Sequence, residues 1–140
     1  MKQFSGGHAN LTYSLSAADG REWVVRRPPV GPIAKNAHDM SREHRVLSGL
    51  CTAYDRALKA YHLCENETII GEPFLVAERR WGVVVKQIWP QCFKGLTNFE
   101  IRTANATVDA LADLHPARPQ EIGLSGLGRP KGFAARQAEG

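Results

Sequence analysis

One carboxylate constrains this chain more than any other residue. The stretch from about Asp39 to Leu50 carries apolar residues at Met40, Leu47 and Leu50, the spacing of one helix face. Glu43 lies in the same stripe, at i+3 from Met40 and i−4 from Leu47. An inward-facing carboxylate is costly unless it is paired, so a fold that buries this stripe must bring a cation to it. Upstream, the strand Glu22 to Arg26 ends in Arg26-Arg27, and Pro28-Pro29 stop it. Side chains alternate across a strand, so Val24 and Arg26 share one face while Trp23, Val25 and Arg27 share the other. At most one of the two arginines can meet Glu43, and Arg26 is the expected partner. In the other reading both arginines are solvated at the strand end. Glu43 then sits at the stripe edge, reaching water or pairing with Arg42 or Arg45.

A glycine turn precedes that strand, in Ser5-Gly6-Gly7-His8-Ala9-Asn10. Adjacent glycines let backbone approach a ligand and aim amide N–H groups at an anion. The same pair also fits a bland hairpin turn. Leu11, Tyr13 and Leu15 then alternate with Asn10, Thr12 and Ser14, which predicts a half-buried strand. Asp19-Gly20 predicts a two-residue hairpin returning the next strand onto this one. A phosphate-cradling turn, a strand cation and a helix anion are parts of an ATP-handling lobe of the protein-kinase type. Val24, the face-mate of Arg26, is small and apolar, suited to lie against an adenine ring.

Further along, strands are expected at about Ala60 to Cys64 and Pro73 to Glu78, with one more short strand at Gly82 to Val85. Segment 86–98 reads as irregular. A helix from about Phe99 to His115 carries Ile101, Val108, Leu111 and Leu114, and Pro116 stops it. A Pro/Gly-rich loop runs to Pro130, and Phe133 to Glu139 begins another helix. The apolar face at 101–114 predicts a second lobe to cover it. Asp109 and Asp113, at i,i+4, fit either a metal or acid–base pair or a solvated helix face; their register opposite Val108 and Leu111 points to the latter.

Composition narrows the class. At 140 residues, 43% hydrophobic and 23% charged, the length and balance suit one globular domain or part of one. Cys51, Cys64 and Cys92 form no C-x-x-C and are expected to be reduced in a cytoplasmic setting. The five histidines show no metal spacing. Neither a membrane-length apolar run nor a signal-peptide pattern is present, so no membrane partner is expected. The net charge of +4 is dispersed, without a basic stripe interleaved with aromatics, so no nucleic-acid partner is expected either. A basic cleft for nucleotide phosphates uses the same charge.

The ordered segments Gln3-Phe4-Ser5-Gly6-Gly7, Asn10-Leu11-Thr12-Tyr13, Val24 to Pro29, His38 to Glu43 and Pro73 to Arg79 resemble the aminoglycoside phosphotransferase family. The likeness is to the branch that also occurs as the kinase-like domain attached to some acyl-CoA dehydrogenases. Leu111-Ala112-Asp113-Leu114-His115-Pro116 and Ile122 to Pro130 continue it, so it runs from Gln3 to the end. The resemblance implies an α+β, protein-kinase-like N-terminal lobe, an antiparallel sheet of about five strands plus one helix. Residues 1–80 would form this nucleotide-binding lobe, and 81–140 the linker and first helices of an incomplete C-terminal lobe.

The family transfers the γ-phosphoryl group of ATP to small-molecule hydroxyls. By resemblance Ser5, Gly6, Gly7, His8 and Asn10 belong to the phosphate-covering turn. Arg26 stands where kinases place the lysine that holds the α- and β-phosphates. Glu43 steadies that cation, and Val76, Ala77 and Glu78 form the hinge that meets adenine. Arginine for lysine departs from general kinase practice but is usual in this branch. The family's His-Gly-Asp-type loop and its magnesium-binding aspartate have no counterpart here, and Asp19, Asp39, Asp55, Asp109 and Asp113 lack their context. The chain is therefore expected to be an N-terminal fragment that uses ATP, with catalytic residues and magnesium ligands lying elsewhere and no activity alone. Its partners would be a nucleotide and, in a full-length protein, a small-molecule hydroxyl acceptor. The rival reading is a non-catalytic nucleotide-binding or protein-interaction module.

Overall fold

The computed structural model of the chain describes residues 1–4, 10–29, 31, 38–85, 88–128 and 132–138. Its centre is a five-stranded sheet made of β1 (Lys2–Gln3), β2 (Leu11–Ser16), β3 (Glu22–Arg27), β4 (Ala60–Cys64) and β5 (Phe74–Glu78). The spatial order is β1-β2-β3-β5-β4, and every neighbouring pair is antiparallel. Helix α1 (Met40–Leu50) packs on one face, and α2 (Phe99–Leu114) and α3 (Phe133–Ala138) follow the sheet. This is the α+β arrangement, a five-stranded antiparallel sheet with one packed helix, that the family resemblance implied.

The β2–β3 reversal falls at Asp19-Gly20, but not as a two-residue hairpin. Ala17 N–H donates to Arg21 O at 2.9 Å and Gly20 N–H to Ala17 O at 3.1 Å, with Gly20 at φ 85°. The loop is a type I turn followed by a left-handed glycine, one residue longer than expected. Asp19 fixes it, since its carboxylate accepts from Arg21 N at 3.1 Å and pairs with Arg21 Nε at 2.7 Å.

Register decides which side chains meet α1. Val24 opposes Ala77 and Arg26 opposes Leu75 across β3 and β5. On β5's other side, Ala60 opposes Ala77 and Leu63 opposes Leu75. Ala60 and Leu63 are three apart and would point oppositely in a regular strand. The register shift between Ala60 and His62 returns both to one face. Met40, Leu75 and Ala77 are buried there, with Leu47, Ala60 and Leu63 packed around them. Burying each large aliphatic side chain contributes about 1.5–3 kcal/mol, so this layer anchors α1.

Asp39 opens α1 by accepting from Arg42 N at 2.9 Å, an ordinary N-cap. The last turn of α1 meets the chain after α2. Arg45 donates to Gly123 O at 3.1–3.2 Å and to Ser125 O at 2.7 Å, while Leu124 is buried beside Gly49. Tyr54 Oη donates to Ala110 O at 2.9 Å, and Arg56 pairs with Asp113 at 2.9 Å. These contacts seat α2 against the turn that follows α1. The strand expected at Gly82 to Val85 is not formed: residues 81–85 are irregular and exposed. A β-rich run becomes a strand only with a hydrogen-bonding partner, and neither sheet edge extends to this one. On α2, Ile101, Val108 and Leu111 are exposed.

A Cβ at Gly49 would lie 2.5 Å from Ile122 O and 3.1 Å from the Leu124 side chain. Gly49→Ala gains helix propensity of about 0.5–1 kcal/mol, but it forces a backbone carbonyl aside. Overpacking of about 1–3 kcal/mol dominates. Urea unfolding is therefore expected to show a net loss of stability in Gly49→Ala. A stabilised variant would contradict the close packing of α1 on Leu124.

Candidate functional site

The site grows from the inner face of β3. Arg26 Nε lies 3.2 Å from Glu43 Oε1, so the helix carboxylate pairs with the strand cation. Arg42 and Arg45, the alternative partners, do not take it; Arg45 is bound to the 123–125 backbone. Arg27 points to the opposite face and donates from Nη1 to Ile70 O at 2.6 Å, closing β3 onto the turn before β5. The side chains of Arg26 and Glu43 retain 41% and 26% exposure. A pair this open contributes at most about 1 kcal/mol to stability. Its main consequence is to fix where the guanidinium sits.

Asn10 supplies a second anchor. It lies two residues before Thr12, which opposes Arg26, so its side chain falls on the same face. It is buried. With Oδ1 turned to the arginine, the amide accepts from Arg26 Nε at 3.0 Å and Nη2 at 3.1 Å, while Nδ2 donates to His38 Nδ1. Hydrogen bonding assigns this orientation, because the reverse one turns amide donors onto guanidinium donors. His38 adopts φ 62° immediately before the Asp39 cap, which carries the chain into α1 beside Asn10. Asn10, His38, Arg42, Glu43 and Leu47 line a cleft of about 370 Å³.

The other sequence candidates fall as follows. Ser5, Gly6, Gly7 and His8 lie outside the described residues. Val24 is half-buried and shares the inner face with Arg26 and Ala77. Val76 and Ala77 are interior to the sheet, paired to β3 on one side and β4 on the other, which commits their backbone groups to the ladders. Glu78 ends the strand. Its N–H donates to Lys59 O at 2.8 Å, and its carboxylate accepts from Lys59 N at 3.2 Å and Arg80 Nη2 at 3.0 Å. The chain leaves β5 through Arg79, whose guanidinium lies over the rings of Phe4 at 4.7 Å and Trp81 at 4.4 Å, with Glu22 at 3.7 Å. Sequence reasoning did not foresee that stack, nor His38 as a contact of Asn10. A cation followed by an aromatic at Arg79-Trp81 is the only local signal for the first; the second has none.

A larger hollow of about 560 Å³ lies between Phe93, Leu96 and α2. It is open and shaped by the packing of Trp89, Phe93 and Phe99; Asp109 lines it, but none of the residues expected to bind nucleotide does. The cleft beside Asn10 and Glu43, the two partners of Arg26, is the candidate site on chemical grounds. Among the described residues no group of three or more His, Cys, Asp or Glu is placed to hold a metal ion. No helix among them is long and apolar enough to cross a membrane.

Known proteins resemble this chain along nearly its whole length. The chain is 29% identical over 142 residues to acyl-CoA dehydrogenase family member 11 of Gallus gallus, covering 98% of this chain and 17% of that protein. It is 31% identical over 137 residues to acyl-CoA dehydrogenase family member 10 of Mus musculus, covering 98% of this chain and 12% of that one. A crystal structure from Ralstonia eutropha JMP134, of a protein classed by inference as an aminoglycoside phosphotransferase, superposes with a TM-score of 0.74 at 31% identity. That match covers 99% of this chain and 38% of the solved one. The model of the phosphotransferase enzyme family matches residues 1–140, and the chain belongs to that family.

Proposed function

We propose that residues 1–80 are the nucleotide-binding lobe of a phosphotransferase that moves the γ-phosphoryl group of ATP to a small-molecule hydroxyl. Residues 81–140 are then the inter-lobe linker and the first helices of the second lobe. One observation carries this reading: a strand arginine held at 3.2 Å by a helix glutamate on the inner face of a kinase-like sheet. The guanidinium fits a phosphate. Among the described residues Glu43 engages Nε and Asn10 engages Nε and Nη2, which leaves both N–H donors of Nη1 and one of Nη2 for ligand oxygens.

In this reading Arg26 neutralises and orients the α- and β-phosphates, and Glu43 and Asn10 stop it from turning away. By its sequence alone, the Gly6-Gly7 pair suits backbone N–H contacts to the same phosphates. Val24, half-buried on the same face, presents a small apolar side chain for the adenine ring. Because Val76 and Ala77 spend their backbone groups in the sheet and Glu78 N–H is bound to Lys59 O, the adenine hydrogen bonds fall to the chain leaving the strand, after Glu78. ATP with magnesium supplies the phosphoryl group and its charge screening. The described residues do not fit a magnesium site. Asp19 is spent on its hairpin, Asp39 on the α1 cap and Asp113 on Arg56.

Two expectations follow from that assignment. In an isothermal titration with ATP, Arg26→Ala should bind roughly tenfold or more weakly than the wild type, the worth of a lost charged hydrogen bond. Arg26→Lys should fall between them, since the charge survives without the fork. Equal affinities would remove Arg26 from the phosphate site. With hydroxylated acceptors and magnesium, the 140-residue chain should release ADP at the background rate, because phosphoryl transfer needs a nucleophile-orienting base and metal-holding carboxylates. Acceptor-dependent turnover by this chain would show that catalytic groups lie among its turn, cap and ion-pair residues.

A further inference from the structure

We infer that Asn10 and His38 are positioning residues for Arg26, and that they work only when the His38 imidazole carries its proton on Nε2. This inference rests on the reading of Arg26 as the phosphate-binding cation. The two possible orientations of the Asn10 amide give the argument. In one, Oδ1 accepts from Arg26 Nε and Nη2 at 3.0 and 3.1 Å, and Nδ2 donates to His38 Nδ1, which must then be an unprotonated acceptor. In the other, Oδ1 faces His38 Nδ1 and accepts a hydrogen bond from an Nδ1–H. The NH₂ group then points at the guanidinium, donor against donor.

One amide cannot satisfy both neighbours unless the imidazole presents a lone pair at Nδ1. The proton position on His38 and the hold on Arg26 are thus one choice, made through a single buried amide. Leaving a buried donor against a donor is costly, which makes the choice sharp. The charged groups facing the imidazole across the cleft are Asp39, Arg42 and Glu43 of the α1 entry, with Arg26 behind Asn10. The positive φ of His38 brings its ring to Asn10 from the helix side, so the contact ties β2, β3 and the start of α1 together.

The deciding measurement is a long-range ¹H–¹⁵N correlation spectrum of the histidine rings in the ¹⁵N-labelled chain at neutral pH. His38→Gln identifies the His38 signals. The expected pattern is that of the Nε2–H tautomer, and in Asn10→Asp it should switch to Nδ1–H, because a carboxylate only accepts. A wild-type ring protonated at Nδ1 would overturn the inference, and it needs no variant to be seen. The same proteins are then titrated with ATP and magnesium. Asn10→Leu should bind about tenfold more weakly, with Asn10→Asp recovering most of the loss, since its carboxylate still accepts from Arg26. If Arg26→Ala weakens binding but Asn10→Leu, folded by circular dichroism, does not, the positioning role is wrong while the phosphate site stands. If Arg26→Ala is without effect and the ring shows the Nε2–H pattern, the phosphate reading fails while the hydrogen-bond chain stands.

Discussion

The contact between Arg26 and Glu43 is where the sheet, the helix and the proposed chemistry meet. It is a half-exposed ion pair, too open to hold the fold by itself. What holds the fold is the apolar layer beside it, where Met40 and Leu47 of α1 lie on Leu75, Ala77 and Leu63. That layer places Glu43 over the end of β3, and the alternation of β3 delivers Arg26 rather than Arg27 to it. Packing therefore sets the distance, and the ion pair sets the direction of the guanidinium. Asn10 completes the restraint from the neighbouring strand.

Much of this was legible in the sequence because it rests on local periodicity. The 3.6-residue stripe of α1 and the two-residue alternation of β3 together name Arg26 and Glu43 as partners, although they are far apart in the chain. The strands at 60–64 and 73–78 follow from their β-branched and aromatic content between turns. The features that were not legible depend on tertiary neighbours. Gly82 to Val85 read as a strand but find no sheet edge to join. Gly49 looks like an ordinary helix residue until Ile122 and Leu124 fold against it. The hinge expected at Val76 to Glu78 is largely the middle of a strand, since both its neighbours pair there.

The polar constellation at Asn10 and His38 was legible only in part. Asn10 belongs to the segment that suggested a phosphate turn, but nothing local shows that its amide faces an arginine. His38 precedes the Asp39 cap rather than opening the helix itself, and its left-handed backbone aims the ring at Asn10. Arg79 makes the same point at the other end of the sheet. Its stack between Phe4 and Trp81 joins the first strand to the exit of the last, across most of the chain's length.

A double-mutant cycle on ATP affinity shows whether Glu43 acts through Arg26. It compares the wild type, Arg26→Ala, Glu43→Ala and the double variant under one salt condition. If Glu43 acts by holding Arg26 on the phosphates, the second substitution adds little to the first. The coupling should then approach the full effect of either single change, on the order of 1 kcal/mol or more. Additive losses, with coupling near zero, would mean that the two residues act independently and that their meeting at the end of β3 does not organise a nucleotide site.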